Sequence, residues 1–72
     1  MNPMNLIKMA NQIGAFFEAM PNREQAARGV ADHILRSWEP RMRSRFFEYV
    51  DSRGEAELKP VVREALSRMR NP

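Results

Sequence analysis

Apolar residues recur at three- and four-residue spacing along most of the chain, which is the period of a helix with one buried face. Proline and glycine divide this pattern into four predicted helices, at about residues 3–20, 23–37, 40–52 and 60–69. No stretch alternates apolar and polar residues for more than a few positions, so no strand is expected. The sequence therefore predicts an all-α fold, a single four-helix domain over residues 1–72 with short connections.

The first two predicted helices differ in the width of their apolar faces. The first carries Leu6, Met9, Ala10, Ile13, Phe16, Phe17 and Met20 on one stripe. Ala10 and Gly14 lie one turn apart near its edge, and their small size predicts that another helix approaches closely there. The second carries Ala26, Ala27, Val30, Ala31, Ile34, Leu35 and Trp38. These residues span about half of the circumference, which predicts a central helix with neighbours on two sides.

The predicted helix ends carry recognisable local signals. Asn2 and Asn22 suit the N-cap position, where a side-chain oxygen accepts a bond from a free backbone N–H. Pro40 suits the first position of the third helix, and the residue before a proline avoids helical geometry. Gly54 suits a left-handed C-terminal cap of that helix, and Pro21 closes the first one. The connections are therefore expected to be short turns.

Chain length and composition then narrow the class of protein. A core built from 72 residues is marginal, and the absence of cysteine excludes disulfides as an additional support. With one histidine and no cysteine, a structural zinc site is not expected. The remaining sources of stability are helix packing and a partner protein. No apolar run approaches the roughly 20 residues of a membrane span, and polar residues interrupt the N-terminal segment where a signal peptide would be apolar. The expected location is the cytoplasm.

The residues needed for catalysis are not assembled in any recognisable pattern. There is no glycine-rich phosphate loop and no thiol, so an enzyme active site is not expected. His33 follows Asp32 directly, and adjacent helical residues point apart, which is poor geometry for a dyad. His33 lies at the border of the apolar arc. It is either a boundary histidine bonded to a neighbour or a residue that contacts a partner.

The segment from Arg36 to Phe47 is the most unusual part of the sequence. Arg41 and Arg43 fall in the first turn of the third predicted helix, where the helix dipole disfavours cations, and Arg45 repeats the charge one turn after Arg41. Such a local inconsistency is typical of functional sites. The candidate partner-binding residues are His33, Trp38, Arg41, Arg43, Arg45 and Phe47. A solvated arginine face with Trp38 in the core is the simpler alternative.

Four stretches of the chain carry a family resemblance. Residues 6–17 read LIKMANQIGAFF, residues 31–34 ADHI, residues 38–42 WEPRM and residues 58–65 LKPVVREA. In order and spacing they resemble the delta subunit of NAD-dependent, molybdenum-containing formate dehydrogenases. The resemblance covers nearly the whole chain. No single stretch is specific, but the first and third together are fairly specific.

The resemblance implies a small accessory subunit of a bacterial cytoplasmic complex, without a cofactor of its own. It implies an alpha subunit with molybdenum–pterin and iron–sulfur clusters as the main partner, and beta and gamma subunits with FMN and further clusters. The implied role is assembly or stability of the active enzyme. A small basic nucleic-acid-binding module is the alternative, although the net charge of +3 is modest for that function.

Overall fold

A computed structural model describes residues 2–70 and contains four helices joined by short turns. They are α1 (Pro3–Phe17), α2 (Arg23–Ser37), α3 (Pro40–Arg53) and α4 (Pro60–Arg70). Within residues 2–70 there is no strand, so the all-α prediction is confirmed. The prediction for the first helix was too long, because α1 ends at Phe17 and the chain then turns towards Pro21.

Local chemistry accounts for where the helices begin and where α3 ends. The Asn2 side chain accepts a hydrogen bond from the Met4 backbone N–H at 2.9 Å, and Asn22 accepts one from Gln25 at the same distance. Gly54 follows α3 with a φ of 87°, a left-handed conformation that glycine adopts without steric cost. These ends were predicted correctly because each depends on one or two neighbouring residues.

One core joins the four helices, and α2 is central to it. The buried apolar residues are Leu6, Ile7, Ala10, Ala26, Ala27, Val30, Ala31, Ile34, Trp38, Phe46, Val50, Leu58, Val61, Val62, Ala65, Leu66 and Met69. Helix α2 packs against both α4 and α1, as its wide apolar arc predicted. The largest fully buried side chain is Phe46 of α3. Phe46 is therefore the main residue by which α3 contributes to the core.

Helix α4 packs closely against α1 at Gly14. A methyl group placed on Gly14 would lie 2.7 Å from Cγ2 of Val62 and 3.1 Å from Cγ1 of Val61. Both distances are shorter than ordinary van der Waals contact, so only glycine allows this helix separation. The structure confirms the prediction that a small residue at this edge admits a neighbouring helix, and it identifies that helix as α4.

The turn before α4 is attached to α1 by a polar side chain that sequence analysis did not single out. The Asn11 amide donates to the Glu57 carbonyl at 2.8 Å, and its oxygen accepts from the Lys59 N–H at 2.9 Å. The Lys59 ammonium also lies 3.2 Å from the Glu18 carboxylate. These two hydrogen bonds of the Asn11 side-chain amide span 46 and 48 residues of sequence, and they set where α4 begins relative to α1.

Three residues predicted to face inward are exposed instead. Phe16 keeps 75% of its surface accessible, Leu35 43% and Met20 38%. Met20 lies in the turn after α1, outside the helical period that the prediction assumed. Phe16 and Leu35 lie at the outer edges of their apolar arcs, and no described helix reaches either edge. The sequence prediction for these three side chains was wrong because it assumed that every apolar edge has a neighbour in the same chain.

Candidate partner-binding surface

The described residues offer no cluster of metal-binding side chains. Within residues 2–70, no three histidine or acidic side chains lie close enough together to hold a metal ion. No polar or charged residue in that part of the chain is buried. No helix among those four is both long and apolar enough to cross a membrane.

Trp38, at the end of α2, is a core residue. Only 5% of its surface is accessible, and its ring packs edge-on against Phe46, with the ring centroids 5.3 Å apart. Edge-to-face packing of this kind adds to the stabilisation from apolar burial. This burial matches the alternative of a core tryptophan. The structure gives Trp38 a packing role, and its contact with a partner stays a prediction.

Arg43 reaches back from α3 to the C-terminal end of α2. Its Nη1 donates to the Trp38 carbonyl at 2.8 Å and to the Leu35 carbonyl at 3.3 Å. The last carbonyls of a helix lack intrahelical partners and form the negative end of its dipole. The Arg43 guanidinium therefore supplies donors for the carbonyl groups at the end of α2. This explains one of the cations in the first turn of α3. Sequence analysis treated α3 alone and did not include this neighbouring helix end.

Replacing Arg43 by alanine is expected to lower the free energy of unfolding by about 1 kcal/mol, since it leaves two carbonyls of α2 without a protein donor. Urea unfolding followed by circular dichroism measures the change. Arg41→Ala is the matched control on the same helical turn. Arg41 is exposed and has no hydrogen bond or ion pair among the described residues, so its loss is expected to change stability by less than about 0.5 kcal/mol. Equal effects of the two substitutions would contradict the assigned role of Arg43.

Three arginines of the same region have no side-chain partner in the described part of the chain. Arg36, Arg41 and Arg45 are exposed, and none of the ion pairs or hydrogen bonds among residues 2–70 involves their side chains. Glu39 and Glu48, the acids nearest in sequence, also form no ion pair in that part of the chain. The region around the α2–α3 connection therefore presents guanidinium groups that are free to bind carboxylates or phosphates.

Phe47 of α3 is half-buried and lies beneath the end of α4. Its ring centroid lies 6.0 Å from that of Phe46, and the Arg70 guanidinium carbon lies 5.3 Å above the ring. Arg70 also pairs with Asp51 at 2.6 Å, so the end of α4 is fastened to α3 here. Phe47 thus has an internal role, while its remaining exposed surface is available for a partner. A partner contact by Phe47 stays a prediction.

His33 lies apart from the arginine segment, in contact with α1. It is exposed, and its ring centroid lies 6.4 Å from that of Phe17. Phe16 packs edge-on against Phe17, with the centroids 5.0 Å apart. Phe17 in turn lies over Gly29, where a methyl group would meet its ring at 2.5 Å. These contacts place a histidine and two aromatic rings side by side on the surface.

Two adjoining concave patches share Phe17 and His33, and we name them together the α1–α2 groove. The residues that line it are Gln12, Ile13, Phe16, Phe17, Gly29, Asp32, His33, Arg36 and Ser37. Of the predicted site residues, only His33 belongs to it, whereas Trp38, Arg43 and Phe47 serve the core, the end of α2 and the α3–α4 contact. Sequence analysis missed Phe16 because its helical spacing is the same as that of a core residue. Its place at the far edge of the stripe was the available signal.

Comparison with known proteins gave one family match. The profile of the family described as NADH-dependent formate dehydrogenase delta subunit, FdsD, matches residues 5–66 of the 72-residue chain. No curated protein and no solved structure gave a significant match. The matched region contains the α1–α2 groove and all six predicted partner-binding residues.

Proposed function

Because this chain belongs to the family of NADH-dependent formate dehydrogenase delta subunits, we propose that it is a non-catalytic accessory subunit. It binds the molybdenum-containing alpha subunit of a cytoplasmic complex and supports assembly or stability of the active enzyme. The observation that carries this proposal is the family match over residues 5–66. Membership in a dehydrogenase subunit family implies a complex with other subunits, whereas the choice of the alpha subunit is part of the proposal.

The surface chemistry of the described residues supports a binding role. Phe16 is 75% exposed, and Arg36, Arg41 and Arg45 have no partner among residues 2–70. Aromatic side chains and arginine are the groups that contribute most to protein–protein interfaces. A chain that exposes both has groups suited to a partner.

In this proposal, formate oxidation and electron transfer take place in other subunits. Molybdenum–pterin and iron–sulfur clusters belong to the alpha subunit, and FMN with further clusters belongs to the beta and gamma subunits. The contribution of this chain is to stabilise the complex or to assist its assembly. A bound subunit stabilises the partner conformation that it recognises, by mass action, and it shields apolar surface of a partly assembled complex from aggregation.

The proposal predicts that a host strain lacking this chain contains less active formate dehydrogenase. Tagged full-length chain is expected to restore activity and to co-purify with the alpha subunit, identified by mass spectrometry. Molybdenum per alpha subunit, measured in both strains, separates the two roles. A normal molybdenum content with less complex indicates a stability role, and a low content indicates a role in cofactor insertion.

A charge-reversal pair tests whether the arginine segment contributes. Arg41→Glu/Arg45→Glu is expected to weaken co-purification, while Arg28→Glu/Arg63→Glu makes the same change in net charge at exposed positions on other helices and is expected to preserve it. Equal recovery of the complex with both double variants would remove the arginine segment from the interface. Full activity and full molybdenum in the strain lacking the chain, together with purification of the tagged chain alone, would overturn the accessory function.

A further inference from the structure

The α1–α2 groove presents an apolar surface that the described chain does not use. Phe16 is the most exposed large hydrophobic residue of residues 2–70, at 75%, and it stands beside Ile13 and Phe17. Gln12 and His33 are the only polar residues of this aromatic part of the groove. Exposed apolar surface of this kind is typical of sites that bind another protein.

The other helices lie on different sides of α1. Helix α4 packs against Gly14, and successive helical residues are about 100° apart, so Ile13 and Phe16 point away from that contact. Phe17 lies against Gly29, and His33, one turn further along α2, faces the residues that precede Phe17 on α1. Residue numbers increase in opposite directions along α1 and α2, so the two helices are antiparallel and the groove lies between them. Such a groove has the shape that accepts a third helix.

The end of the groove at the C-terminus of α2 carries one guanidinium and one carboxylate, which form no ion pair with each other. Arg36 lines it there, together with Ser37 and the single acid Asp32. The Arg36 guanidinium has no ion pair or hydrogen bond among the described residues. Arg41 and Arg45 also have no ion pair among residues 2–70, but they do not line the groove. The complementary ligand is therefore apolar along its length and carries, at one end, a carboxylate that can pair with the Arg36 guanidinium.

We infer that the α1–α2 groove binds an amphipathic helix of another formate dehydrogenase subunit. An apolar side chain of that helix packs against Phe16 and Ile13, and a carboxylate near the helix end pairs with Arg36. Recognition of an apolar helix face in a groove between helices is a common binding mode. This inference rests on the proposed function and adds to it the surface that makes the contact and the kind of segment that it binds.

Phe16 is the expected anchor of this contact. An aromatic side chain removes on the order of 150–250 Å² from water when it is fully covered, and Phe16 is the most exposed large hydrophobic residue among residues 2–70. Truncating such an anchor to alanine commonly raises the Kd by about tenfold or more. Arg36 lies at the rim, where a charge changes the association rate and its salt dependence more than the final affinity.

The test uses formate dehydrogenase purified from a strain lacking this chain, into which full-length chain is titrated. Phe16→Ala is expected to raise the Kd by about tenfold or more, and Arg36→Glu to slow association and weaken its salt dependence. Leu35→Ala is the matched control, because Leu35 is 43% exposed and lies about 160° around α2 from His33. It is expected to leave the Kd within about twofold. Thermal melts of each isolated variant show that losses of binding do not come from unfolding.

The outcomes separate this inference from the proposed function. If the wild-type chain binds and Phe16→Ala binds equally well, the groove is not the interface, and the accessory function remains. If the wild-type chain binds no other subunit, the accessory function fails and the inference falls with it. If Phe16→Ala instead converts a dimer of the isolated chain to a monomer without changing the Kd for the complex, a second copy occupies the groove and the inference is overturned.

Discussion

Phe46→Ala is expected to lower the free energy of unfolding by about 3–5 kcal/mol, the usual cost of removing a buried aromatic ring and leaving a cavity. Phe46 is completely buried and packs against Trp38, so α3 loses its principal core contact. Natural domains have about 0.05–0.15 kcal/mol of stability per residue, so a chain of this length has little reserve. A substantial unfolded population at physiological temperature is therefore expected.

Urea unfolding measures this loss with two independent probes. Circular dichroism reports the helices, and fluorescence reports Trp38, the single tryptophan of the chain, which lies directly against Phe46. Phe16→Ala is the matched control, since it removes the same ring from a side chain that is 75% exposed. Its effect is expected to stay within about 0.5 kcal/mol. Similar losses for both variants would mean that the assignment of core and surface aromatics is wrong.

Gly14→Leu is expected to have the second largest effect, with a net destabilisation of about 2 kcal/mol. The first added carbon alone would lie 2.7 Å from Val62 Cγ2, so α4 must move away from α1 or the side chain must adopt a strained rotamer. Overpacking of this kind costs about 1–3 kcal/mol, sometimes more. Leucine forms helices better than glycine by about 0.8 kcal/mol, and this gain offsets only part of that cost.

Ala15→Leu separates the packing effect from the helix propensity. Ala15 is the next residue of α1 and is exposed, so a leucine there meets no other helix. Its effect on the urea midpoint is expected to be small, because alanine and leucine have similar helix propensities. A Gly14→Leu protein as stable as the wild type would show that α4 does not pack tightly at Gly14.

Helix ends could be predicted from the sequence because they depend on neighbouring residues. Asn2 and Asn22 cap their helices as predicted, and Gly54 follows α3 in the left-handed conformation. Each of these signals operates within a few residues, which is why the sequence reveals it. Leu6 and Ile34 were likewise placed correctly in the core, because a helical period relates each of them to other apolar residues on the same helix.

The surface was predicted less well, because its residues depend on other helices. Arg43 looked misplaced on α3 until the end of α2 was seen beside it. Asn11 looked like an ordinary polar residue of α1, but it bonds to backbone 46 and 48 residues away. Phe16 had the spacing of a core residue and lies on the surface. No periodic pattern contains this information, since it belongs to pairs of elements.

The sequence by itself determined that the chain forms four helices with an apolar face each, because propensity, helix-end signals and helical period act over short distances along the chain. Only the tertiary structure decided which apolar edges find a neighbour and which arginines find an acceptor. Packing at Gly14 directs α4 to one side of α1, and this choice leaves Phe16 exposed on another side. The physical reason is that a helix can cover only one side of the element it packs against, and the side it takes is set by contacts between residues far apart in sequence.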